Sequence, residues 1–128
     1  VATQEARIKA MLDLVGPDVF DLQSLARRAV NTQTGTTYSA ALADRYKLIT
    51  LSNASAITLT IPAQSSITWP TATLLWVVQY GAGQVTIAGA GGVTLRSTPG
   101  LKLADQYSMA QLLRMGSDDW LVYGRLSA

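Results

Sequence analysis

The chain has neither cysteine nor histidine, and charged residues make up only 14% of its 128 positions. Without cysteine there is no disulfide framework, no thiolate zinc site and no sulfur nucleophile. Without histidine the commonest general base, the commonest metal ligand and the usual partner of a nucleophilic serine are all missing. Glutamate is nearly absent as well, occurring once as Glu5. Little remains from which to build an active site, and the chain is expected to be no enzyme and to carry no cofactor.

Apolar residues account for 48% of the sequence, against roughly half the usual charged share. Such a surface suits an assembly in which neighbouring subunits cover part of each chain. The net charge is +2. Up to Thr32 the charges cancel: Arg7, Lys9, Arg27 and Arg28 oppose Glu5, Asp13, Asp18 and Asp21. Further on, the basic residues stand singly rather than on one face, so nucleic-acid binding is not expected. No apolar run approaches the roughly 18 residues of a membrane span, and no signal-peptide pattern opens this sequence. A soluble protein without membrane insertion is expected.

The composition changes near Asn31, dividing the chain into a leader over 1–32 and a β-domain over 33–128. In the leader, Ile8, Met11, Leu12 and Val15 form the stripe of an amphipathic helix, with Thr3 as N-cap. Leu22, Leu25, Ala26 and Ala29 form a second stripe after Gly16-Pro17. Taken together, Ile8, Leu12, Val15, Val19, Leu22, Ala26 and Ala29 keep an a/d register over about three heptads. Pro17 opposes an unbroken helix, because it removes a hydrogen bond and clashes one turn back, at about 3 kcal/mol. One kinked helix or two short ones are expected, with a continuous oligomer-forming helix as the alternative. In each case Ile8, Leu12, Val15, Val19 and Leu22 are the expected docking or oligomerisation contacts.

From Thr36 onward the pattern is β. Ile57, Leu59 and Ile61 alternate with Thr58 and Thr60, as in a half-buried strand. "TLLWVVQY" (73–80) is apolar on both faces and reads as a central or interface-buried strand. "YSMAQLLRM" and "WLVYGRL" flank Gly116-Ser117-Asp118-Asp119, a hairpin turn. The spacing predicts an antiparallel β-sandwich or small barrel of about seven to nine short strands.

The glycine-rich stretch "GAGQVTIAGAGGVTLRS" (81–97) invites a phosphate-binding reading. Completing G-x-G-x-x-G would need glycine at Thr86 or Thr94, and β-branched strand residues follow where a helix would have to start. Two turns bracketing a strand over Val85–Ala88 are expected, with glycine supplying positive φ. Asp118 and Asp119 read as a solvated hairpin tip rather than a metal or glycosidase pair. Trp76, Trp120 and Tyr123 read as core or interface residues, and Tyr80 and Tyr107 join the aromatics that could form a sugar-stacking platform. Trp69, beside Pro70, is the aromatic expected to be exposed and to face a ligand.

The pieces "LSNASAITLTIP", "GAGQVTIAGAGGVTL" and the closing strand–turn–strand with Trp120 resemble a β-module of tailed-bacteriophage structural proteins. That module occurs at the ends of minor tail and fibre-like proteins and in small virion-surface proteins. The resemblance covers Gly35 to Leu126. The segment "TQEARIKAMLDLVGPDVFDLQSLARR" is similar to the short helical leader that often precedes it, with Pro17 as a departure from a continuous helix. The resemblance implies a non-enzymatic virion protein on the outer surface of capsid or tail, decorating the capsid or standing as a head fibre. Implied partners are the major capsid or tail proteins and further copies of the chain, a trimer being favoured. The alternative it implies is a receptor-binding module contacting host surface glycans.

Overall fold

The computed structural model describes residues 30–128. The expected helical leader, with Ile8, Leu12, Val15, Val19 and Leu22, lies outside the described residues. Within them, eleven strands form two sheets around one apolar core. The strands are β1 (Val30–Gln33), β2 (Thr37–Ser39), β3 (Leu48–Leu51), β4 (Ile57–Ile61), β5 (Leu74–Gln79) and β6 (Val85–Gly89), followed by β7 (Thr94–Arg96), β8 (Lys102–Leu103), β9 (Met109–Gly116), β10 (Asp119–Gly124) and β11 (Leu126–Ser127). The expected division between 32 and 33 falls inside β1, so the β-domain takes in Val30.

The topology differs from the antiparallel sandwich of seven to nine strands that the spacing predicts. From β1 to β9 successive strands alternate between the sheets instead of folding back on each other, and β9 and β10 form a hairpin. β1, β3 and β5 stack in parallel in one sheet, and β2, β4 and β6 stack in parallel in the other. The first half is therefore a flattened coil of three turns. The second half closes it with antiparallel strands: β9 on β5, β10 on β9, β8 on β6 and β11 on β8. β7 lies parallel to β10 at the far edge. The sheets run β1-β3-β5-β9-β10-β7 and β11-β8-β6-β4-β2. Period-2 alternation tells a strand which face is inward but not which strand lies beside it, so the pattern survives and the pairing does not.

The corners of the coil explain the glycines. The chain passes from β5 to β6 through Tyr80–Gln84, directly over the corner between β3 and β4. There the Gly83 N–H donates to the Asn53 carbonyl at 2.7 Å. A Cβ on Gly83 would stand 1.9 Å from the Ser55 carbonyl oxygen, and one on Gly81 would stand 2.7 Å from the Asn53 nitrogen. Neither glycine has positive φ; close approach of two backbones excludes a side chain. Asn53 continues the stack downward, its Nδ2 donating to the Thr34 carbonyl at 2.8 Å. In the second glycine cluster, positive φ is confined to Gly92, at 88°.

Ile49, Leu51, Ile57, Leu59, Ile61, Leu75, Val77, Val85, Ile87 and Leu112 are all within 1% of full burial. At the β1–β2 end the inward positions turn polar. Asn31 and Gln33 are in register with Ile49 and Leu51, and Tyr38 with Leu59. At the opposite end Trp120 meets Trp69 edge to face, with centroids 5.3 Å apart. The Gly116–Asp119 hairpin forms as its sequence suggests, with Asp118 taking φ 54°.

The corner geometry separates two glycines of the same motif. Gly83→Ala should lose about 1–3 kcal/mol by forcing overpacked backbone apart. Gly91→Ala, with open space around the added carbon, should unfold within about 0.5 kcal/mol of the parent. Urea denaturation of both variants measures the difference.

Candidate functional site

The two sheets present unlike outer faces. On the five-stranded sheet the outward rows read Thr37–Thr58–Thr86–Lys102 and Ser39–Thr60–Ala88. Small hydroxyl side chains on a pleated surface suit β-structure and water together. On the six-stranded sheet the rows are apolar. One runs Val30–Leu48–Trp76–Gln111–Tyr123, and a second runs Leu74–Leu113–Leu121 and ends at Arg96. Val78 pairs with Met109 in a third, which Thr50 and Thr32 extend toward the edge.

Most of these apolar groups are not fully covered. Val30 is 56% exposed, Met109 45%, Leu121 37% and Tyr123 45%, and Met115, farther along β9 at the bulge against β10, is 59% exposed. Leu48, Leu74, Trp76 and Leu113 are half-buried, and Thr50 and Val78 are buried. The face carries little charge. Arg96, at its margin, is held by Asp119 at 2.9 Å. Gln111 accepts a hydrogen bond from the Tyr123 hydroxyl, which masks the polar group nearest the centre. The signal for this face was present in "TLLWVVQY", apolar on both sides. Trp76 and Tyr123 turn out to lie on the outer face, whereas Trp120 lies in the core.

Trp69 is not the exposed aromatic its sequence context suggests. It is 2% exposed, packs on Trp120, and its indole N–H donates to the Pro62 carbonyl at 3.3 Å. This tryptophan, next to proline in the β4–β5 connection, is folded into the core rather than left at the rim. The most exposed aromatics are instead Tyr80 and Tyr107, 57% and 65% exposed, with rings edge to face at 5.6 Å. Tyr107 has φ 69° and is held there by its N–H, which donates to the Gln79 carbonyl at 2.6 Å. Beside it, Arg125 grips Asp105 through Nε at 3.1 Å and Nη2 at 3.0 Å, while the Ser108 hydroxyl donates to Asp105 at 2.6 Å. These donors, Arg125 foremost, hold the Asp105 carboxyl down at about 2.

Among the described residues the carboxylates do not converge. Asp118 accepts the Gln64 N–H at 2.7 Å and Asp119 binds Arg96, so the expected solvated pair ties neighbouring segments together instead. Asp44 is 3% exposed and accepts from Tyr38 Oη at 2.6 Å, Asn31 Nδ2 at 2.7 Å and Ala41 N at 2.8 Å. Burial, reinforced by the bond to Asp44, pushes the Tyr38 phenol up to about 12. Asp44 and Tyr38 form a polar plug at the end of the core. Among the described residues no three acidic side chains gather into a metal-binding group. Nor is any helix there long and apolar enough to cross a membrane.

No family model and no curated protein sequence matches the chain.

Two measurements probe these polar clusters. Tyr38→Phe should destabilise the fold by about 1–3 kcal/mol, because a buried carboxylate loses a donor; thermal or urea unfolding reads the loss. The Asp105 carboxyl should titrate by NMR near 2 rather than 3.8. Its folded-state value is depressed, so its stabilising contribution is complete above about 4 and disappears as the pH falls through 2. Arg125→Gln should return the midpoint toward the unperturbed value.

Proposed function

We propose that the chain is a non-enzymatic structural protein of a tailed-phage virion, decorating the capsid or standing on it as a head fibre. The observation that carries the reading is the half-exposed apolar outer face of the six-stranded sheet, which a working assembly would cover. Around it the polar groups are engaged in holding the fold rather than aimed at a common reacting centre. The resemblance of "LSNASAITLTIP" and "GAGQVTIAGAGGVTL" to phage structural modules supplies the setting. In this reading the leader anchors the protein to major capsid or tail proteins through Ile8, Leu12, Val15, Val19 and Leu22. The β-domain then projects outward or bridges neighbours, as a homo-oligomer with a trimer favoured. Repetition over a symmetric particle turns modest contacts into firm attachment through effective concentration.

A second reading, a receptor-binding module for host surface glycans, is favoured by one specific observation. Tyr107 keeps a largely exposed aromatic ring at a positive φ that asparagine or glycine would occupy at lower cost. With Tyr80 it forms a ledge on which a sugar ring could stack, taking over the role its sequence context gave to Trp69.

Attachment is tested through the leader. Leu12→Asp and Leu22→Asp should each lose association with purified particles in a co-sedimentation assay, while the β-domain keeps its cooperative thermal transition. Normal association of both variants would remove the leader as anchor.

A further inference from the structure

We infer that the outer face of the six-stranded sheet is where copies of this chain bind one another. The inference rests on the structural role proposed above and assigns a particular surface to its self-association. Its occupant is a second copy, presenting the same rows of apolar side chains.

Area supports this assignment. At 37–59% exposure, Val30, Met109, Met115, Leu121 and Tyr123 leave roughly 60–120 Å² each uncovered, on the scale of about 150–250 Å² for a large side chain. The half-buried neighbours Leu48, Leu74, Trp76 and Leu113 raise the total to roughly 700 Å². A standard interface takes about 800 Å² from each partner. The face is thus large enough for a specific complex and larger than the scattered exposure normal on a monomer.

Charge points the same way. The single basic side chain in the rows, Arg96, is neutralised by Asp119 on its own copy. A charged partner would find nothing to pair with, and burying its charges there would be costly. A second copy brings an equally uncharged, equally apolar sheet, which satisfies both surfaces at once. Composition agrees, since aromatic residues and methionine are the types enriched at interface centres: Trp76 and Met109 lie on the two middle strands, β5 and β9, and Tyr123 on the adjoining β10. The threonine rows of the other sheet have no such need for cover.

The test uses the full chain, with light scattering coupled to size exclusion at about 10 μM. The parent should elute as a dimer or trimer. Met109→Lys combined with Tyr123→Lys replaces two half-exposed side chains on neighbouring strands, and should give a folded monomer with at least a tenfold weaker association constant. Leu121→Lys, read separately, should weaken association in the same direction. Thr58→Lys on the opposite face should leave the mass unchanged. A parent that is monomeric overturns the inference and leaves the face to the chain's own leader or to another protein. An oligomer that persists unchanged in the folded double variant and in Leu121→Lys also overturns it. Particle co-sedimentation, measured in parallel, reports the virion role by itself, so failure of self-association and failure of that role remain distinguishable.

Discussion

The close passage of one corner of the chain over another governs much of this fold. Where Gly83 lies on Asn53 and Ser55, two backbones meet with no room for a β-carbon. That contact fixes the height of β5 and β6 above β3 and β4, and so sets the parallel register in both sheets. Once the register is set, Leu59 lies between Tyr38 and Ile87, Ile49 beside Val77, and the two inner faces interlock. The hydrophobic effect supplies most of the driving force. The corner decides which of the possible strand pairings receives it.

The closing half of the domain solves a different problem. A coil of parallel strands ends in an unpaired edge unless something covers it. Here β9 reverses direction against β5, the β9–β10 hairpin extends the sheet, and β8 and β11 do the same service opposite. Trp120 from the hairpin and Trp69 from the long β4–β5 connection meet at this end and seal it. Trp69 therefore belongs to the closure.

What the sequence made legible was the strand and its inward side; what it hid was the neighbour. The alternation of Ile57, Leu59 and Ile61 fixes three core residues, and all three are buried. Gly116-Ser117-Asp118-Asp119 announces its hairpin because a tight turn is a local matter. The Gly81–Gly83 corner looks equally local, yet its glycines answer to Asn53 and Ser55, which are remote in sequence. The same limit applies to the candidate face. Trp76 and Tyr123 were recognisable as core or interface residues, but choosing between these needs the register that places Leu48 and Gln111 beside them. The burial of Asp44 was hidden too, since a short turn gives no sign that Tyr38 and Asn31 will close over it.

The substitution of Asn31, Gln33 and Tyr38 for the aliphatic residues at equivalent levels of the coil has an architectural result. A further turn stacked on β1 and β2 would trap the Asp44 carboxylate and its amide partners beneath an apolar layer, away from water, at a cost of several kcal/mol. Among the described residues the coil has three turns, and this polar layer is the outermost of them. A single acidic side chain thus gives this end of the core a polar face, as terminal caps do in repeat arrays.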